Sequence, residues 1–405
     1  MQIPSLSTPR QQQAIASALV FFLVFGVGVP ATWRLMLAIP FTPALTAPEP
    51  GMDYMMSIEY NWIMESRTPE GAIAQNIRGD YVVPYFANLS ALALLRRDQG
   101  AARDYMEWYL KHLNRPDNAS LFGTIYDYAG MVPAAGGGQD GASRKVATAT
   151  YGPAAHLDFT PTGDYDSADS YAATFLSLVN DYTERTSDET FAREHLPDIK
   201  MIADVILALQ DDDGLVWAKA DHPKKYLMDN SENYRGLEDF AALLVRLGLP
   251  ELARGYHEAA VRVRTGIEAK LWDPKTNTYY WYLAAGGRRA RVNWKTWYPD
   301  AVSQLYPILN GLIRPDDPRA EGLWATLNRY HGEWVTRTDM TPWAVAAYVA
   351  TIMGDNDRAD AALDTVKEDS LKAKRDPQWH SVESAFIYLT YEARRGTLPK
   401  HYLVD

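Results

Sequence analysis

Segments of helical periodicity that alternate in character constrain the fold of this 405-residue chain more than any other feature. From residue 52 onward, apolar residues recur at the three- and four-residue spacing of amphipathic helices. The spacing predicts twelve helices, at residues 53–65, 80–96, 100–114, 167–184, 188–210, 230–247, 250–271, 299–313, 318–333, 341–354, 356–370 and 380–395. The even-numbered segments are apolar on most sides, whereas the odd-numbered ones carry a charged face. Because a helix that is apolar all round is buried, this alternation predicts an inner ring of helices inside an outer ring.

The lengths of the connections predict that one end of this ring carries nearly all of the non-helical chain. Connections from an inner helix to the next outer helix are short, whereas those leading back are mostly long, at residues 66–79, 115–166, 211–229 and 272–298. Antiparallel hairpins place each kind of connection at one end, and long loops on a rigid scaffold are where binding residues concentrate. Residues 278–292 within these loops predict a β-hairpin, and residues 122–163 predict a mobile flap.

The predicted fold class is therefore all-α, an (α/α)6 toroid of six helical hairpins with long loops on one face, preceded by an N-terminal transmembrane or signal helix. A tetratricopeptide-like array is the alternative, because residues 355–366 have that character. No fixed period of 34 residues continues along the chain, which favours the ring.

The N-terminal region predicts export and attachment to a membrane. Residues 14–30 are uncharged and mostly apolar, with Arg10 before them and Arg34 after them. This length is marginal for a spanning helix and long for a signal peptide, so we expect an uncleaved anchor in residues 1–34 and a Pro-rich linker in residues 35–51. Residues 52–405 would then form an extracytoplasmic catalytic domain, periplasmic or at the cell surface, or secreted if the anchor is cleaved.

Composition narrows the class of partner. The net charge is −11 and no dense Lys/Arg block is present, so nucleic acid is not an expected partner. The chain has 12 Trp and 25 Tyr, whose rings combine an apolar face with a polar edge and suit sugar binding. Without cysteine there is no thiol catalysis. We expect a polysaccharide or oligosaccharide substrate, a monomeric catalytic domain, and neither a metal nor another cofactor; a solvated turn is favoured over a calcium site for residues 211–214.

Carboxyl groups cluster at the starts of the predicted inner helices. Hydrolysis of a glycosidic bond normally takes two carboxyl groups, one protonated to assist the leaving oxygen and one ionised to activate water or attack the anomeric carbon. Residues 163–172 (GDYDSADSYA) enter the fourth helix with Asp166 and Asp169 three positions apart. Asp and Ser also cap helix N-termini, so capping remains the alternative for any single Asp in this run.

Further acidic positions lie beside aromatic residues before other inner helices. Asp229 and Glu232 open the sixth helix, where a capping arrangement is again the alternative. Asp300 follows a Trp- and Tyr-rich run, and Asp80 precedes the second helix. The candidate catalytic residues are therefore Asp166 or Asp169 paired with Glu232, with Asp300 and Asp80 in reserve; the candidate substrate-binding residues are Asp164, Tyr165, Asp229, Tyr234, Trp294, Trp297, Trp343, Trp379 and His380.

Several stretches resemble the six-hairpin glycosidase superfamily over about residues 52–396. They are Gly71-Ala-Ile73 with residues 84–88, the Asp-Ser-Ala-Asp-Ser-Tyr-Ala run at 166–172, residues 271–279, and Trp379-His-Ser-Val-Glu383. The run at 166–172 is similar to a helix start of family 8 endoglucanases, which cut β-1,4-linked glucans with inversion and carry a catalytic Glu at the first inner helix, where this sequence has Asp80. The superfamily also contains unsaturated glucuronyl hydrolases, trehalases, glucoamylase-like enzymes and relatives of polysaccharide lyases, so the resemblance leaves the reaction type open.

The leading hypothesis is a glycoside hydrolase that acts on an extracellular or cell-envelope polysaccharide by carboxylate acid/base catalysis, with inversion. A polysaccharide lyase is a second hypothesis and would require His or Tyr as the base and Arg to neutralise a uronic carboxylate. The third is a non-catalytic binding or scaffold protein of an exopolysaccharide secretion system, in which Asp166, Asp169 and Glu232 would be scattered.

Overall fold

The computed structural model describes residues 51–79, 81–131, 158–338, 342–372 and 375–396, which belong to one compact unit. The helices of these residues are α1 (Met52–Glu65), α2 (Pro84–Leu94), α3 (Gln99–Lys111), α4 (Ala168–Thr186), α5 (Glu189–Glu194), α6 (Leu196–Leu209), α7 (Leu227–Arg246), α8 (Pro250–Gly266), α9 (Tyr306–Leu309), α10 (Pro318–Tyr330), α11 (Ala344–Ile352), α12 (Asn356–Lys372) and α13 (Ser381–Arg394). The strands are β1 (Tyr81–Val82), β2 (Tyr128–Met131), β3 (Asp158–Pro161), β4 (Lys224–Tyr226), β5 (Trp272–Asp273), β6 (Thr278–Tyr279), β7 (Tyr282–Ala284) and β8 (Arg289–Ala290).

Six of these helices form a closed inner ring. In the order α2, α4, α7, α9, α11 and α13, each helix packs against the next, and α13 packs back against α2. Helices α1, α3, α6, α8 and α12 pack on the outside of this ring. The prediction of an all-α fold with alternating inner and outer helices is therefore confirmed.

The helix sequences explain which ring each helix joins. All nine residues of α11 (AVAAYVATI) are buried, as expected for a helix surrounded by others. In α8 the buried residues recur at helical spacing along one stripe, with Ala253, Tyr256, Ala260 and Val263 facing inward and charged residues between them. Small residues also let inner helices approach closely, because a Cβ added at Gly236 of α7 would lie 2.5 Å from the carbonyl oxygen of Ala173 in α4.

The strands all belong to connections that lead from an outer helix to the next inner helix, as far as the described residues show. They form two three-stranded sheets in the orders β1-β2-β3 and β4-β7-β8, and a two-stranded pair β5-β6. The predicted hairpin at residues 278–292 is confirmed in part. Leu283 pairs with Arg289 as expected, but β6 turns back onto β5 instead of continuing into β7.

The prediction of one unbroken eighth helix at residues 299–313 is wrong. The chain instead forms a π-helical turn at Trp297–Ala301 and the single α-helical turn α9. Pro299 and Pro307 lack an amide hydrogen and cannot donate in a regular helical ladder, which accounts for the interruption. The start of the second helix also differs, because residues 81–82 form β1 and the helix begins only at Pro84.

Two sequence predictions fall outside the described residues. The first is the apolar segment at residues 14–30. Among the helices that the structure does describe, none is both long and apolar enough to cross a membrane. Most of the predicted flap, residues 132–157, is the other; the residues that flank it form the antiparallel pair β2 and β3.

Candidate active site

A cavity of about 250 Å³ opens where the N-terminal ends of the inner helices meet. We call it the mouth cavity. Every inner helix or the residues just before it contribute to its lining, which consists of Val83, Tyr85, Phe86, Leu89, Asp166, Ser167, Ser170, Tyr171, Met228, Asp229, Glu232, Tyr298, Tyr306, Pro342, Val345, His380, Val382, Glu383 and Phe386. Four of these residues carry carboxyl groups. The carboxyl groups lie at one end of the ring because each sits in, or just before, the first two turns of an inner helix.

Asp229 and Asp169 share the hydroxyl group of Ser167. The Ser167 Oγ lies 2.6 Å from Asp169 Oδ1 and 2.9 Å from Asp229 Oδ2. A hydroxyl group carries one proton and can donate to only one carboxylate, so the second contact is a hydrogen bond only when that carboxyl group is protonated. Asp169 also accepts from the backbone N–H of Ser170 and from Asn233 Nδ2, and these donors favour its ionised form. The geometry therefore favours the proton on Asp229.

The environment of Asp229 also favours a proton on this pair of carboxyl groups. Its carboxyl group is almost completely buried, and this burial, reinforced by the nearby charge of Asp166, raises its pKa to about 7 against the hydrogen bond from Ser167. Burial and the charge of Asp229 raise the pKa of Asp169 well above its usual value as well. The two carboxyl groups therefore share a proton, and the donors to Asp169 are what place it on Asp229. At neutral pH a proton is thus held beside the mouth cavity, as an acid catalyst requires.

Glu232 lies one helical turn beyond Asp229, at the floor of the mouth cavity. Its Oε1 accepts a 2.6 Å hydrogen bond from the hydroxyl of Tyr85, which lies 3.2 Å from the hydroxyl of Tyr306. Burial, together with the charge of Asp229, raises the pKa of Glu232, while the bond from Tyr85 opposes the rise. Burial and Glu232 raise the pKa of Tyr85 in turn, so the tyrosine stays a neutral donor.

Glu383 and His380 lie on the side of the ring opposite α7, at the start of α13. The carboxylate of Glu383 accepts hydrogen bonds from the backbone N–H groups of Trp343 and Ala344, at the N-terminus of α11. Burial raises the pKa of Glu383 and these two donors oppose the rise. Burial lowers the pKa of His380, which is therefore neutral at pH 7, and its Nδ1 has no hydrogen-bond partner.

The remaining lining makes the mouth cavity acidic and aromatic. Asp166 is exposed in it, and Tyr298 stands at its edge with 51% of its surface exposed. Burial of its hydroxyl end and the charges of Asp229, Asp166 and Glu232 raise the pKa of Tyr298 to about 12. Among the described residues that line the cavity there is no Lys or Arg. A neutral or cationic ligand fits this lining better than an anionic one.

The structure brings four of the sequence-predicted site residues together around the mouth cavity, namely Asp166, Asp229, Glu232 and His380. Asp169 differs, because it is fully buried behind Ser167 and does not face the cavity. It can act on a substrate only through Ser167 and Asp229, as a positioning residue. Asp80 lies outside the described residues.

Four other predicted site residues point into local structure instead of the cavity. Asp164 forms an exposed ion pair with Lys219, which lowers the pKa of Asp164. Tyr165 is buried and donates to Asp117. Asp300 accepts from the backbone N–H of Asn293 and fixes the turn before α9. Tyr234 is half-buried on α7, on the side near Arg264 of α8.

The tryptophans predicted to stack on sugars pack against other parts of the protein and do not line the mouth cavity. Trp343 is fully buried and donates to the carbonyl of Trp334. Trp297 is buried and donates to the carbonyl of Pro342, and Trp294 stacks on Tyr330. Trp379 lies under the guanidinium of Arg375 and donates to Ser384. An acid followed by Trp marks the buried start of an inner helix as well as a sugar subsite, so the sequence pattern alone does not distinguish the two.

The sequence patterns did not single out Glu383 or the aromatic residues that do line the cavity. These aromatic residues are Tyr85, Phe86, Tyr171, Tyr298, Tyr306 and Phe386. One sequence signal could have found several of them, since Tyr85, Phe86, Tyr171 and Glu383 lie in the first turns of helices already predicted to be inner. At residues 211–213, where the sequence favours a solvated turn over a calcium site, the ammonium group of buried Lys225 lies 2.6 Å from Asp211 and 2.7 Å from Asp213.

Fold and site together define an (α/α)6 barrel with a carboxyl-lined cavity at the N-terminal ends of its inner helices. No protein-family model matches the sequence, and the search of curated proteins found no match. Solved structures do match. A wild-type glycosidase is 13% identical with a TM-score of 0.57, covering 86% of this chain and 98% of that one. The GH63 mannosylglycerate hydrolase of Thermus thermophilus, solved with glucose, is 14% identical with a TM-score of 0.52, covering 83% and 99%. The chain therefore has the fold of the (α/α)6-barrel glycosidases.

Proposed function

We propose that this protein is a glycoside hydrolase acting on neutral sugars, with its active site in the mouth cavity. The observation that carries the proposal is the convergence of Asp166, Asp229, Glu232 and Glu383 around one cavity whose described lining has no Lys or Arg. Carboxyl groups gathered around one cavity, some of them with raised pKa values as for Asp229, Glu232 and Glu383, are the machinery of glycosidic bond hydrolysis. Buried carboxyl groups oppose folding unless they are paired, and among the described residues that line this cavity no Lys or Arg pairs with them.

Asp229 is the general acid in this proposal. Its pKa of about 7 keeps much of the population protonated at neutral pH, and it borders the cavity directly. Proton donation to the glycosidic oxygen leaves Asp229 ionised. Ser167 can then turn its hydroxyl proton towards Asp229, because it contacts both this residue and Asp169.

Glu383 is the proposed general base. It belongs to α13, which stands opposite α7 in the ring, so a sugar in the cavity would have Asp229 on one side and Glu383 on the other. The two backbone N–H groups that bind Glu383 favour its ionised form. An acid and a base on opposite faces of the sugar, with water between, produce inversion at the anomeric carbon.

The acidic lining argues against the lyase alternative. A lyase acting on a uronic acid has to neutralise the substrate carboxylate, usually with Arg, before a proton can leave the neighbouring carbon. The described lining offers carboxyl groups in that place. We extend the proposal to an extracellular or cell-envelope polysaccharide and a membrane-anchored domain, as the N-terminal sequence predicts, and to a monomeric catalytic domain. A hydrolase of the same fold was solved with glucose, which supports a neutral hexose as the sugar.

The test is incubation of the full chain with a panel of neutral glycans and uronic acid polysaccharides, with two readouts. We expect new reducing ends from at least one neutral glycan, and proton NMR of the fresh product should show the inverted anomer first. Unsaturated products that absorb in the ultraviolet would establish the lyase instead. Absence of any reaction across the panel would favour a binding protein.

A further inference from the structure

A second cavity, of about 110 Å³, lies along the barrel axis beyond the mouth cavity. We call it the lower cavity. Its lining comes from the middle and C-terminal parts of the inner helices, so it approaches the opposite end of the ring; Arg96 follows the end of α2 and Asn310 follows the end of α9. Tyr85, Glu232 and the apolar Leu89 and Phe386 line both cavities and separate them.

Two buried polar atoms at the lower cavity lack hydrogen-bond partners. Asn180 is 7% exposed, and its Oδ1 accepts no hydrogen bond although its Nδ2 lies 3.4 Å from Asp239. The side chain of Arg96 is 9% exposed, and its Nε donates no hydrogen bond, with Glu392 Oε2 at 3.6 Å. Buried polar groups in proteins are nearly always satisfied, by protein, water or ligand. The lower cavity thus presents one acceptor and one donor.

The charges around the lower cavity are paired with each other. Arg96 forms an ion pair with Asp181 at 2.9 Å, and Arg235 forms one with Asp239 at 2.7 Å. An anion placed here would meet the two aspartates, and a cation would meet the two arginines. A neutral ligand avoids both conflicts, and a hydroxyl group can accept from Arg96 Nε and donate to Asn180 Oδ1.

The apolar walls and the volume of the lower cavity indicate the apolar surface and the size of the ligand that it can hold. Leu92, Leu309 and Leu389 add apolar surface to that of Leu89 and Phe386, and this surface suits the C–H face of a polyol. One water needs about 15 Å³ of such a cavity, so the lower cavity has room for a ligand of several non-hydrogen atoms.

We propose that the lower cavity is a binding site for a small neutral polyol, in the range from glycerol to a monosaccharide, separate from the mouth cavity. Glu232 and Tyr85 border both cavities, so a ligand in the lower cavity contacts the floor of the active site from beneath. This inference does not depend on the proposed hydrolase activity, since it concerns binding alone.

The test is a titration of the full chain with glycerol and with D-glucose, followed by saturation-transfer NMR of the ligand. Wild-type protein should show saturable binding of at least one of the two. Asn180→Leu removes the acceptor while keeping a side chain of similar size, and Arg96→Lys keeps the charge for Asp181 while removing Nε. Each should weaken binding about tenfold, as expected for one lost hydrogen bond involving a buried or charged group.

His380→Ala changes the mouth cavity and leaves the lower one intact, so loss of binding in this variant would place the probe in the mouth cavity. Asp212→Asn, whose exposed carboxyl group borders neither cavity, is the matched control. Both variants should bind as the wild type does. The proposal is overturned if the wild type binds neither probe, if both lower-cavity variants bind as tightly as the wild type, or if binding is lost in His380→Ala instead. Should Asn180→Leu fail to fold, as judged from its melting temperature, Arg96→Lys decides alone.

Discussion

Burial of Asp229 has opposite consequences for stability and for catalysis. Its pKa of about 7 in the folded protein lies above the value near 4 of an unfolded chain, so the folded state holds the proton more tightly. The associated stability is present in full below about pH 4 and is lost as the pH rises through about 7. The same raised pKa supplies the protonated acid for catalysis near neutral pH. Asp229 therefore lowers the stability of the folded protein at neutral and higher pH, while its raised pKa supplies the acid for catalysis.

Replacement of Asp229 by Asn tests the stability consequence. The variant cannot ionise, so its melting temperature should change less between pH 5 and pH 8 than that of the wild type, and at pH 8 it should be the more stable protein. Differential scanning calorimetry at a series of pH values measures this. Parallel pH profiles for the two proteins would contradict the raised pKa.

Ser167 sets the pKa of Asp229 through a single hydroxyl group. When Asp229 is ionised, Ser167 can donate to it, and this charge-assisted hydrogen bond is stronger than the one that Ser167 accepts from the neutral acid. The net effect of Ser167 is to lower the pKa of Asp229, so Ser167→Ala should raise it further. If Asp229 is the acid catalyst, the alkaline limb of the pH–rate profile should move to higher pH by up to about one unit, which corresponds to about 1.4 kcal/mol. Thr at position 167 keeps a hydroxyl and should restore the wild-type profile. An unchanged alkaline limb of the pH–rate profile in Ser167→Ala would show that Ser167 does not influence the pKa of the acid catalyst.

At the residue scale, the acidic positions in the sequence predict which helices contribute to the cavity but not which side chains face it. The spacing of Asp229 and Glu232 placed both on one helical face, and both border the cavity. The difference between exposed Asp166 and buried Asp169 depends on Ser167 and Asn233, which are brought together only by packing of α4 on α7. No local pattern reports that contact.

At the scale of helices, small residues fix how closely the inner ring packs. Gly236 of α7 lies against the backbone of Ala173 in α4, whereas Gly255 of α8 is exposed and an added Cβ there meets nothing within 4 Å. Both glycines are inside helices, so intrinsic helix propensity favours alanine equally at the two positions. Only packing distinguishes them.

The two glycine substitutions should therefore have opposite effects on the free energy of unfolding. Gly255→Ala should stabilise the protein by about 0.5 to 1 kcal/mol through helix propensity. Gly236→Ala should destabilise it by about 1 to 3 kcal/mol, because α4 and α7 have to move apart. Urea denaturation of both variants measures the difference. Equal effects would mean that α4 and α7 are not in backbone contact.

The helices themselves could be predicted because their apolar periodicity is local. The exceptions are informative, since the segment around α9 looks periodic but contains Pro299 and Pro307, which interrupt its hydrogen bonding. The pairing of β4 with β7 joins residues about 60 positions apart and could not be derived from the local alternation that suggested a hairpin.

At the scale of the whole molecule, a buried ion pair joins the first outer helix to the chain before the last inner helix. Glu59 of α1 is fully buried and accepts two hydrogen bonds, of 2.6 and 2.7 Å, from Arg375, which also lies against Trp62 and Trp379. Helix α1 packs on α13 as well. These contacts connect the two ends of the barrel sequence.

Replacement of Glu59 by Gln leaves Arg375 buried without its counter-charge. We expect a loss of about 3 to 5 kcal/mol in the free energy of unfolding, as for other buried pairs that lose one partner. Glu251→Gln, which breaks the exposed pair of Glu251 with Arg254, is the matched control and should be close to neutral. Similar effects for the two variants would show that the Glu59 pair does not stabilise the barrel.

The central claim is that a ring of helices gathers carboxyl groups at one cavity and that Asp229 there donates the proton that breaks a glycosidic bond. The most direct measurement is the rate of reducing-end formation from the best neutral glycan by the wild type, by Asp229→Asn and by Asp212→Asn, whose exposed carboxyl group lies away from the cavity. The account predicts that Asp229→Asn loses at least about a hundredfold in rate, the usual contribution of a general acid, while Asp212→Asn matches the wild type. A folded Asp229→Asn variant that cuts the glycan at the wild-type rate would contradict it.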